Sequence, residues 1–179
     1  MENLSLQSEN IFLRLLEPED VSFLQQVEND PMFWAISQTV QPFTKYTLSQ
    51  YIEQAHQDIY ESKQQRWVIC SKEDHRCLGF LDLFDFDPRN ARVGLGIVIA
   101  SETERRKNYA SEAISLIINY CFHHLYVRQI FVNILTDNTS SIALFSKFGF
   151  ELVGVKKQWI RVNHQFKDEA LYQLIQQDL

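Results

Sequence analysis

The feature that most constrains the fold is an apolar segment that passes through a basic turn directly into a long amphipathic helix. Residues 97–99 read Ile-Val-Ile, and a continuously apolar run is typical of a strand covered on both faces. From Asn108 to Leu125, apolar residues recur with helical period. The next segment, Gln129–Leu135, predicts another strand. This succession of strand, helix and strand predicts an α/β fold.

The rest of the chain extends this pattern without a clear break. Further strands are predicted at residues 11–16, 66–71, 77–86, 92–100, 150–155 and 170–175, and further helices at 18–30, 48–59 and 138–148. Residues 156–168 are predicted to form a loop of unusual apolar content. Because the chain has only five glycines and four prolines, little material is left for a flexible linker. We therefore predict one domain over residues 1–179.

Charge and composition narrow the class of partner. The formal net charge is −6, which disfavours nucleic acid, because affinity there comes mainly from Lys and Arg. Acidity mildly favours cationic partners such as amines. No apolar run approaches the ~18 residues that cross a bilayer, so no membrane partner is expected. Residues 1–5 lack the pattern of a signal peptide.

The three cysteines, Cys70, Cys77 and Cys121, form no CxxC pair. An odd number of unpaired thiols suits a reducing compartment, so we expect the cytoplasm. Cys121, His123 and His124 lie together near a predicted helix end, but no further ligand cluster accompanies them. We therefore predict no metal.

The turn from Ser101 to Ser111 reads Ser-Glu-Thr-Glu-Arg-Arg-Lys-Asn-Tyr-Ala-Ser and opens the long helix. A helix start presents unpaired backbone N–H groups and the positive end of a dipole, which together suit a pyrophosphate. Arg105, Arg106 and Lys107 add positive charge beside it. Taken alone, the same segment also fits a solvated loop with incidental charges.

A second segment, residues 138–150, reads Asn-Thr-Ser-Ser-Ile-Ala-Leu-Phe-Ser-Lys-Phe-Gly-Phe. Asn138 is a suitable helix cap, and Gly149 is a suitable stop. By itself this is an ordinary helix. Its significance comes from its position, a helix and a strand after the basic turn.

Together, the two segments resemble the GNAT acetyltransferase family. Residues 105–110 match the family's Arg/Gln-x-x-Gly-x-Gly/Ala loop, except that Asn108 replaces the first glycine. Asn is the non-glycine residue that best tolerates positive φ, so the turn is expected to persist. Downstream, the family reads Asn-x-x-Ala/Ser-x-x-Leu-Tyr-x-Lys-x-Gly-Phe, and the matching positions are Asn138, Ser141, Leu144, Lys147, Gly149 and Phe150.

This resemblance implies a mixed, largely antiparallel twisted sheet of about seven strands, flanked by about four helices. It implies acetyl-CoA as the acetyl donor and direct attack of an amine on the thioester. One backbone N–H of the strand at 97–99 is expected to polarise the thioester carbonyl. The residues assigned to acetyl-CoA are Ile97, Val98, Ile99, Arg105, Arg106, Lys107, Asn108, Tyr109, Ala110, Ser111, Asn138, Ser141 and Lys147.

Two catalytic positions depart from the family pattern. Phe145 stands where the family carries a tyrosine acid. Ser141 is our first candidate to replace that acid, with Tyr109 or water as alternatives. A CoA thiolate leaves readily, because a thiol has a pKa near ~8.5, so the loss of tyrosine is expected to slow turnover rather than abolish it.

Gly94 stands where many relatives carry a glutamate base. Asp82 and Asp85 are the nearest carboxylates, and their spacing from Gly79 matches the G-x-x-E-x-x-E of spermidine-acetylating relatives. They are candidates to relay a proton or to bind a cationic acceptor. The alternative is that one or both merely face solvent, since residues three apart lie on opposite faces of a regular strand.

The acceptor is less constrained than the donor. Residues 162–172 resemble the ending of the branch that contains ribosomal-protein and spermidine N-acetyltransferases. We predict a small amine or polyamine as acceptor. The alternatives are a protein N-terminal α-amine and a non-catalytic acetyl-CoA-binding module. Trp159 and Phe166 either cover the acceptor cleft or form a contact in a possible homodimer.

Overall fold

The computed structural model describes residues 6–37 and 39–177, and its seven strands form one sheet in the order β1-β2-β3-β4-β5-β7-β6. The strands are Ile11–Leu15 (β1), Gln65–Ser71 (β2), Cys77–Asp87 (β3), Arg92–Ile99 (β4), Gln129–Leu135 (β5), Glu151–Val162 (β6) and Gln165–Ile175 (β7). Neighbouring strands are antiparallel except β4 and β5, which are parallel. The predicted mixed, largely antiparallel sheet is confirmed.

Six α-helices accompany the sheet in the described residues: Val21–Glu28 (α1), Pro31–Ser37 (α2), Lys45–Gln54 (α3), Ile59–Ser62 (α4), Tyr109–His123 (α5) and Thr139–Ser146 (α6). Two of them, α2 and α4, are additional to the four expected. Both are too short to show a helical period, and both begin at a capping aspartate. Asp30 accepts from the Met32 N–H at 2.9 Å, and Asp58 accepts from the Tyr60 N–H at 2.7 Å.

Each face of the sheet covers its own apolar core. On one face, α5 packs against the sheet through Ile114 and Ile117, both fully buried. On the other, α1 and α3 pack through Leu24 and Leu48. Burial on both faces explains why the central strands read as nearly continuous apolar runs.

The predicted loop at 156–168 is wrong, because most of it belongs to the long β6–β7 hairpin. The turn is Asn163-His164, with φ of 46° and 67°, the conformation that two-residue hairpins require. Most side chains of β6 are exposed, and register shifts occur between Leu152 and Gly154 and between Lys156 and Ile160. The alternation of apolar and polar residues that identifies a strand is therefore missing.

Residues 1–5, on which the expected absence of a signal peptide rests, lie outside the described residues. Among the helices of residues 6–37 and 39–177, none is long and apolar enough to cross a membrane.

Candidate active site

A cleft opens where the parallel strands β4 and β5 separate. The two strands pair only through Arg92–Gly94 and Gln129–Phe131. Beyond Gly94, β4 continues against β3 and β5 continues against β7. The cavity between them is lined by β4, β5, the first turns of α6 and the β6–β7 hairpin; its residues are Leu95, Gly96, Ile97, Val132, Asn133, Ile134, Leu135, Asn138, Ser141, Phe145, Ile160 and Glu169.

The backbone of β4 presents polar groups to this cleft at alternate residues. The Ala100 N–H donates to the Leu78 carbonyl on β3 at 2.9 Å. Since backbone groups alternate sides along an antiparallel strand, those of Val98 face β3, whereas those of Ile97 and Leu95 face β5. The structure therefore directs the backbone of two of the three predicted strand residues, Ile97 and Ile99, away from β3, but not that of Val98. It adds Leu95, which the same alternation could have identified.

Ile99, the third predicted strand residue, faces the same direction but has a partner. Its carbonyl oxygen accepts from Arg105 Nη2 at 3.4 Å. Arg105 also lies 5.9 Å from the Phe33 ring centroid and forms a 3.7 Å ion pair with Glu102. Its guanidinium therefore joins the end of β4 to α2.

Asn108 adopts the left-handed conformation that its place in the turn requires, with φ of 68° and ψ of 0°. The expected positive φ is confirmed. Helix α5 begins directly afterwards, so the N–H groups of Tyr109, Ala110 and Ser111 have no acceptor within the helix. These groups, with the helix dipole, form the anion-binding end of α5.

The basic residues before α5 have different surroundings. Lys107 forms a 3.1 Å ion pair with Glu104, which also pairs with Arg76 at 2.9 Å. The hydrogen bonds from Lys107 and from Arg76 lower the pKa of Glu104. The Arg106 side chain is exposed, and its backbone has a φ of 62°. It has no ion pair with any residue that the structure describes. Its charge is therefore available to an incoming anion.

Helix α6 brings Asn138 and Ser141 to the opposite wall of the cleft. The Asn138 side chain caps the helix, accepting from the Ser141 N–H at 3.2 Å and from Ser140 Oγ at 3.0 Å. Both Asn138 and Ser141 line the cavity. Lys147, the third residue assigned to the donor from this segment, is exposed at the far end of α6 and does not line it.

Phe145, which replaces the family tyrosine, lines the cavity and is 4% exposed. Its ring packs edge-on against Phe150, with centroids 5.1 Å apart. Phe145 therefore supplies apolar wall and no proton. Of the hydroxyl groups named as substitutes, that of Ser141 belongs to a residue lining the cavity, whereas Tyr109 is not among the lining residues.

The two carboxylates singled out by sequence lie outside the cavity lining. Asp82 binds Arg66 through both oxygens, at 2.5 Å to Nε and 2.9 Å to Nη2. Arg66 also pairs with Glu28 and lies over the rings of Tyr51 and Phe80.

Asp85 is exposed, at φ 49°, in the register shift between Phe84 and Asp87. This irregularity removes the strict alternation of a regular strand at that position. Neither aspartate lines the cavity. A role for either in proton transfer stays a hypothesis from the sequence, which substitution can test.

Glu169 is the one carboxylate among the cavity-lining residues, and sequence analysis did not find it. It is 8% exposed and lies on β7 opposite Leu135 of β5. It forms an ion pair with Lys156 of β6. Glu169 was missed because it lies in a hairpin that the sequence pattern predicted to be a loop. The one sequence signal for it was an acidic residue directly before the strand predicted to start at residue 170.

Two aromatic residues of the β6–β7 hairpin are exposed. Trp159 is 60% exposed, with Lys156 Nζ 5.2 Å from its ring centroid, and Phe166 is 62% exposed. Whether Trp159 and Phe166 cover the acceptor cleft or form a dimer contact therefore stays open. Among the described residues there is no group of three or more His, Cys, Asp and Glu side chains that could hold a metal ion.

Comparison with known proteins shows which family and fold the chain is similar to. The acetyltransferase (GNAT) domain family model matches residues 10–151. The chain is 26% identical over 175 residues to the uncharacterized N-acetyltransferase p20 of Bacillus licheniformis, covering 97% of each chain. It is 23% identical to the spermidine N(1)-acetyltransferase of Escherichia coli K12, covering 89% of this chain and 82% of that one.

Among solved structures, the fold is similar to that of spermidine N-acetyltransferase from Vibrio cholerae, determined in complex with CoA and spermine. The TM-score is 0.83 and the identity 18%, over 93% of this chain and 95% of that one.

Proposed function

The chain belongs to the GNAT acetyltransferase family, and on that premise we propose that it moves the acetyl group of acetyl-CoA to a primary amine of a small alkylamine or polyamine. The family, the enzyme class and the acetyl donor predicted from the sequence are confirmed. The acceptor, the site residues and their roles are our proposal.

For the donor, the residues of the cleft divide between two tasks. The N–H groups at the start of α5 and the charge of Arg106 bind the diphosphate. The backbone of Ile97 and Leu95 faces the pantetheine arm, and one N–H there polarises the thioester carbonyl. Asn138 lies along the other wall. The cleft fits this donor because its β4 edge carries backbone groups without a strand partner on the β5 side.

For the leaving thiolate, we assign proton donation to Ser141. It is the hydroxyl residue that lines the cavity between β4 and α6, and its N–H is already fixed by Asn138. A weak acid suffices, because a thiolate with a pKa near ~8.5 leaves without full protonation.

For the acceptor, three facts favour an alkylammonium. Glu169 places a carboxylate in the cavity wall, the formal net charge is −6, and relatives with 23% identity are named spermidine N(1)-acetyltransferases. A cation is attracted to a cleft whose lining carries negative charge.

The observation on which the proposal rests is the cleft itself, which combines unpaired β4 backbone, Ser141 and Glu169. The test is release of CoA thiol when the protein is incubated with acetyl-CoA and an amine panel: spermidine, propylamine and a peptide with a free N-terminus. We expect release with spermidine and propylamine. Release with the peptide alone identifies a protein α-amine as acceptor, and acetyl-CoA binding without release from any member identifies a non-catalytic module.

We also place this activity in the cytoplasm, since Cys70, Cys77 and Cys121 are all free thiols and unpaired thiols are typical of a reducing compartment. The single domain over residues 1–179 and the homodimer stay predictions.

A further inference from the structure

The ammonium of Lys156 lies among three groups at the side of the cleft. It forms an ion pair with Glu169. It donates to the side-chain oxygen of Asn133 at 3.4 Å. It lies 5.2 Å from the ring centroid of Trp159.

These three groups are the kinds that recognise an alkylammonium. An ammonium carries three N–H donors and no acceptor. A carboxylate gives a charge-assisted hydrogen bond, an amide oxygen gives a neutral one, and the face of an indole attracts the cation electrostatically. The cluster is therefore chemically an ammonium-binding site that a side chain of the protein occupies.

Two of the three groups line the cavity, although Asn133 is also exposed to solvent. Glu169 and Asn133 both line it, as do Ser141 and Ile97. Glu169 is buried, whereas Lys156 reaches it from a half-exposed position on β6. An amine that enters the cleft therefore meets the same carboxylate and the same amide oxygen that Lys156 contacts.

The backbone near Lys156 is irregular. The pairing of β6 with β7 shifts register between Lys156 and Ile160, and Gln158 within this segment has φ of 50°. Lys156 also has a long, flexible side chain, so its ammonium can move to water while its Cα stays in place.

We propose that Glu169, Asn133 and Trp159 form the subsite for the ammonium of the acceptor, and that Lys156 occupies this subsite until the acceptor displaces it. The inference rests on the proposed function, because it gives the acceptor amine its binding site. It assigns Lys156 the role of an internal competitor.

Displacement and a permanent structural pair predict different effects for Lys156→Met, which keeps an unbranched side chain, one atom shorter, and removes its charge. If Lys156 competes, its removal frees the subsite and tightens amine binding. If Lys156 is a fixed part of the site, its removal gives no more than the general electrostatic gain of one lost positive charge, which the loss of a neighbouring lysine gives as well.

The experiment measures spermidine and propylamine binding by calorimetry to the full chain loaded with CoA, so that no turnover occurs. We expect Lys156→Met to lower the Kd of both amines about threefold to tenfold, since the fraction of open subsite scales the apparent affinity. The matched control is Lys157→Met, which removes the adjacent ion pair with Asp168 on the exposed side of the hairpin and is expected to leave both Kd values unchanged.

A second variant tests the carboxylate. Glu169→Gln is made in the Lys156→Met background, so that no lysine is left without its partner, and folding is checked by thermal unfolding. We expect the gain to be lost and the Kd to rise about tenfold or more above that of Lys156→Met, because a charged hydrogen-bond partner is removed.

Unchanged or weaker binding in Lys156→Met overturns the inference, and so does the absence of amine binding to that variant. Tighter binding that Glu169→Gln leaves intact overturns it too. Failure of the proposed function gives a different result. The Kd values of the parent and the variants then follow the predicted order, but neither the parent nor any variant releases CoA from acetyl-CoA.

Discussion

The ring of Phe84 lies against the backbone of Gly94: a Cβ built on Gly94 would be 2.4 Å from Phe84 Cε2. Real Cβ atoms do not approach other atoms so closely, so Gly94 has no room for a side chain while Phe84 keeps its position. Phe84 in turn packs edge-on against Phe131 of β5, with centroids 5.7 Å apart. The glutamate that the family resemblance expects at Gly94 is therefore sterically excluded.

This contact predicts the effect of Gly94→Ala on stability. The added methyl group must displace the Phe84 ring, and overpacking of this kind costs about 1–3 kcal/mol of unfolding free energy. Urea unfolding measures the loss. In a double-mutant cycle with Phe84→Ala, most of the added cost should disappear, because the obstructing ring is gone.

Gly96→Ala is the matched control on the same strand. A Cβ at Gly96 has Phe84 Cε1 as its nearest neighbour, at 3.9 Å, which is an ordinary van der Waals contact. We expect a stability change within about 0.5 kcal/mol. Equal costs for the two alanine variants would show that the Phe84 ring does not govern this position.

The turn before α5 predicts a separation between CoA affinity and folding. Asn108→Val places a β-branched residue at φ 68°, where non-glycine backbone costs about 1–2 kcal/mol. The turn is expected to rearrange and CoA affinity to fall about tenfold. Calorimetry measures the affinity. Asn108→Gly is the control that keeps the conformation, and weakening of similar size in both variants would mean that the turn geometry is not what binds CoA.

Ser141 is tested against its neighbour on α6. Ser141→Ala is expected to lower kcat about tenfold to a hundredfold. This is at or below the roughly 10²–10⁴-fold that a general acid or base usually contributes, because a CoA thiolate needs little protonation to leave. The KM for acetyl-CoA should change little. Ser140 is exposed, and its hydroxyl donates to the capping Asn138 side chain, so Ser140→Ala should stay within about twofold of the parent. Steady-state thiol release distinguishes them; full kcat in Ser141→Ala would remove Ser141 from the mechanism.

Asp82 and Asp85 should behave differently although both were catalytic candidates. Asp82→Asn weakens the contact with Arg66, and we expect it to lower the unfolding free energy by about 1–3 kcal/mol with kcat nearly unchanged. Asp85→Asn, at an exposed position, should change neither. A large fall in kcat for Asp82→Asn without a loss of stability would restore the role in proton transfer that the sequence suggested.

Asp20 predicts a defined acid response. Its carboxylate is buried; burial opposes ionisation, but two hydrogen bonds from Arg14 and one from the Glu17 N–H outweigh it and lower the pKa of Asp20 below 3.8. A pKa lowered by folding contributes stability that is present above the ordinary pKa and is lost as the pH falls through the lower folded pKa.

The test compares the unfolding free energies of Asp20→Asn and the parent from neutral pH down to pH values below 3.8. The parent should be more stable near neutral pH, and the difference in unfolding free energy should shrink as the pH falls below 3.8. A difference that is independent of pH would mean that ionised Asp20 does not contribute in this way.

Sequence patterns predicted the parts of the fold that depend on local chemistry. The period of α5 and the capping side chain of α6 are visible in the chain itself, and the positive φ of Asn108 follows from the tolerance of asparagine. The proposed donor half of the site uses backbone groups at a strand edge and at helix starts. The strand and the helices that carry these groups were predictable from the sequence.

The acceptor half that we propose could not be predicted, because it depends on pairing between strands. Asp82 is held by Arg66 of β2, and Glu169 by Lys156 of β6; both pairs follow from register, which no local pattern encodes. The β6–β7 hairpin was missed because its exposed residues and register shifts remove the alternation. The ring of Phe84 over Gly94 likewise requires knowledge of which residues face each other on β3 and β4.

The brief pairing of β4 with β5 has a mechanical consequence. Within the sheet, strands β1 to β4 are joined to strands β5 to β7 by three residue pairs of β4 and β5. Just before β4, the Ala91 carbonyl also accepts from the N–H groups of Arg128 and Gln129. A ligand that accepts hydrogen bonds from the exposed edges of both β4 and β5 replaces the strand-to-strand hydrogen bonds that are absent there. Ligand binding in the cleft and stabilisation of the two parts of the sheet against each other are then coupled.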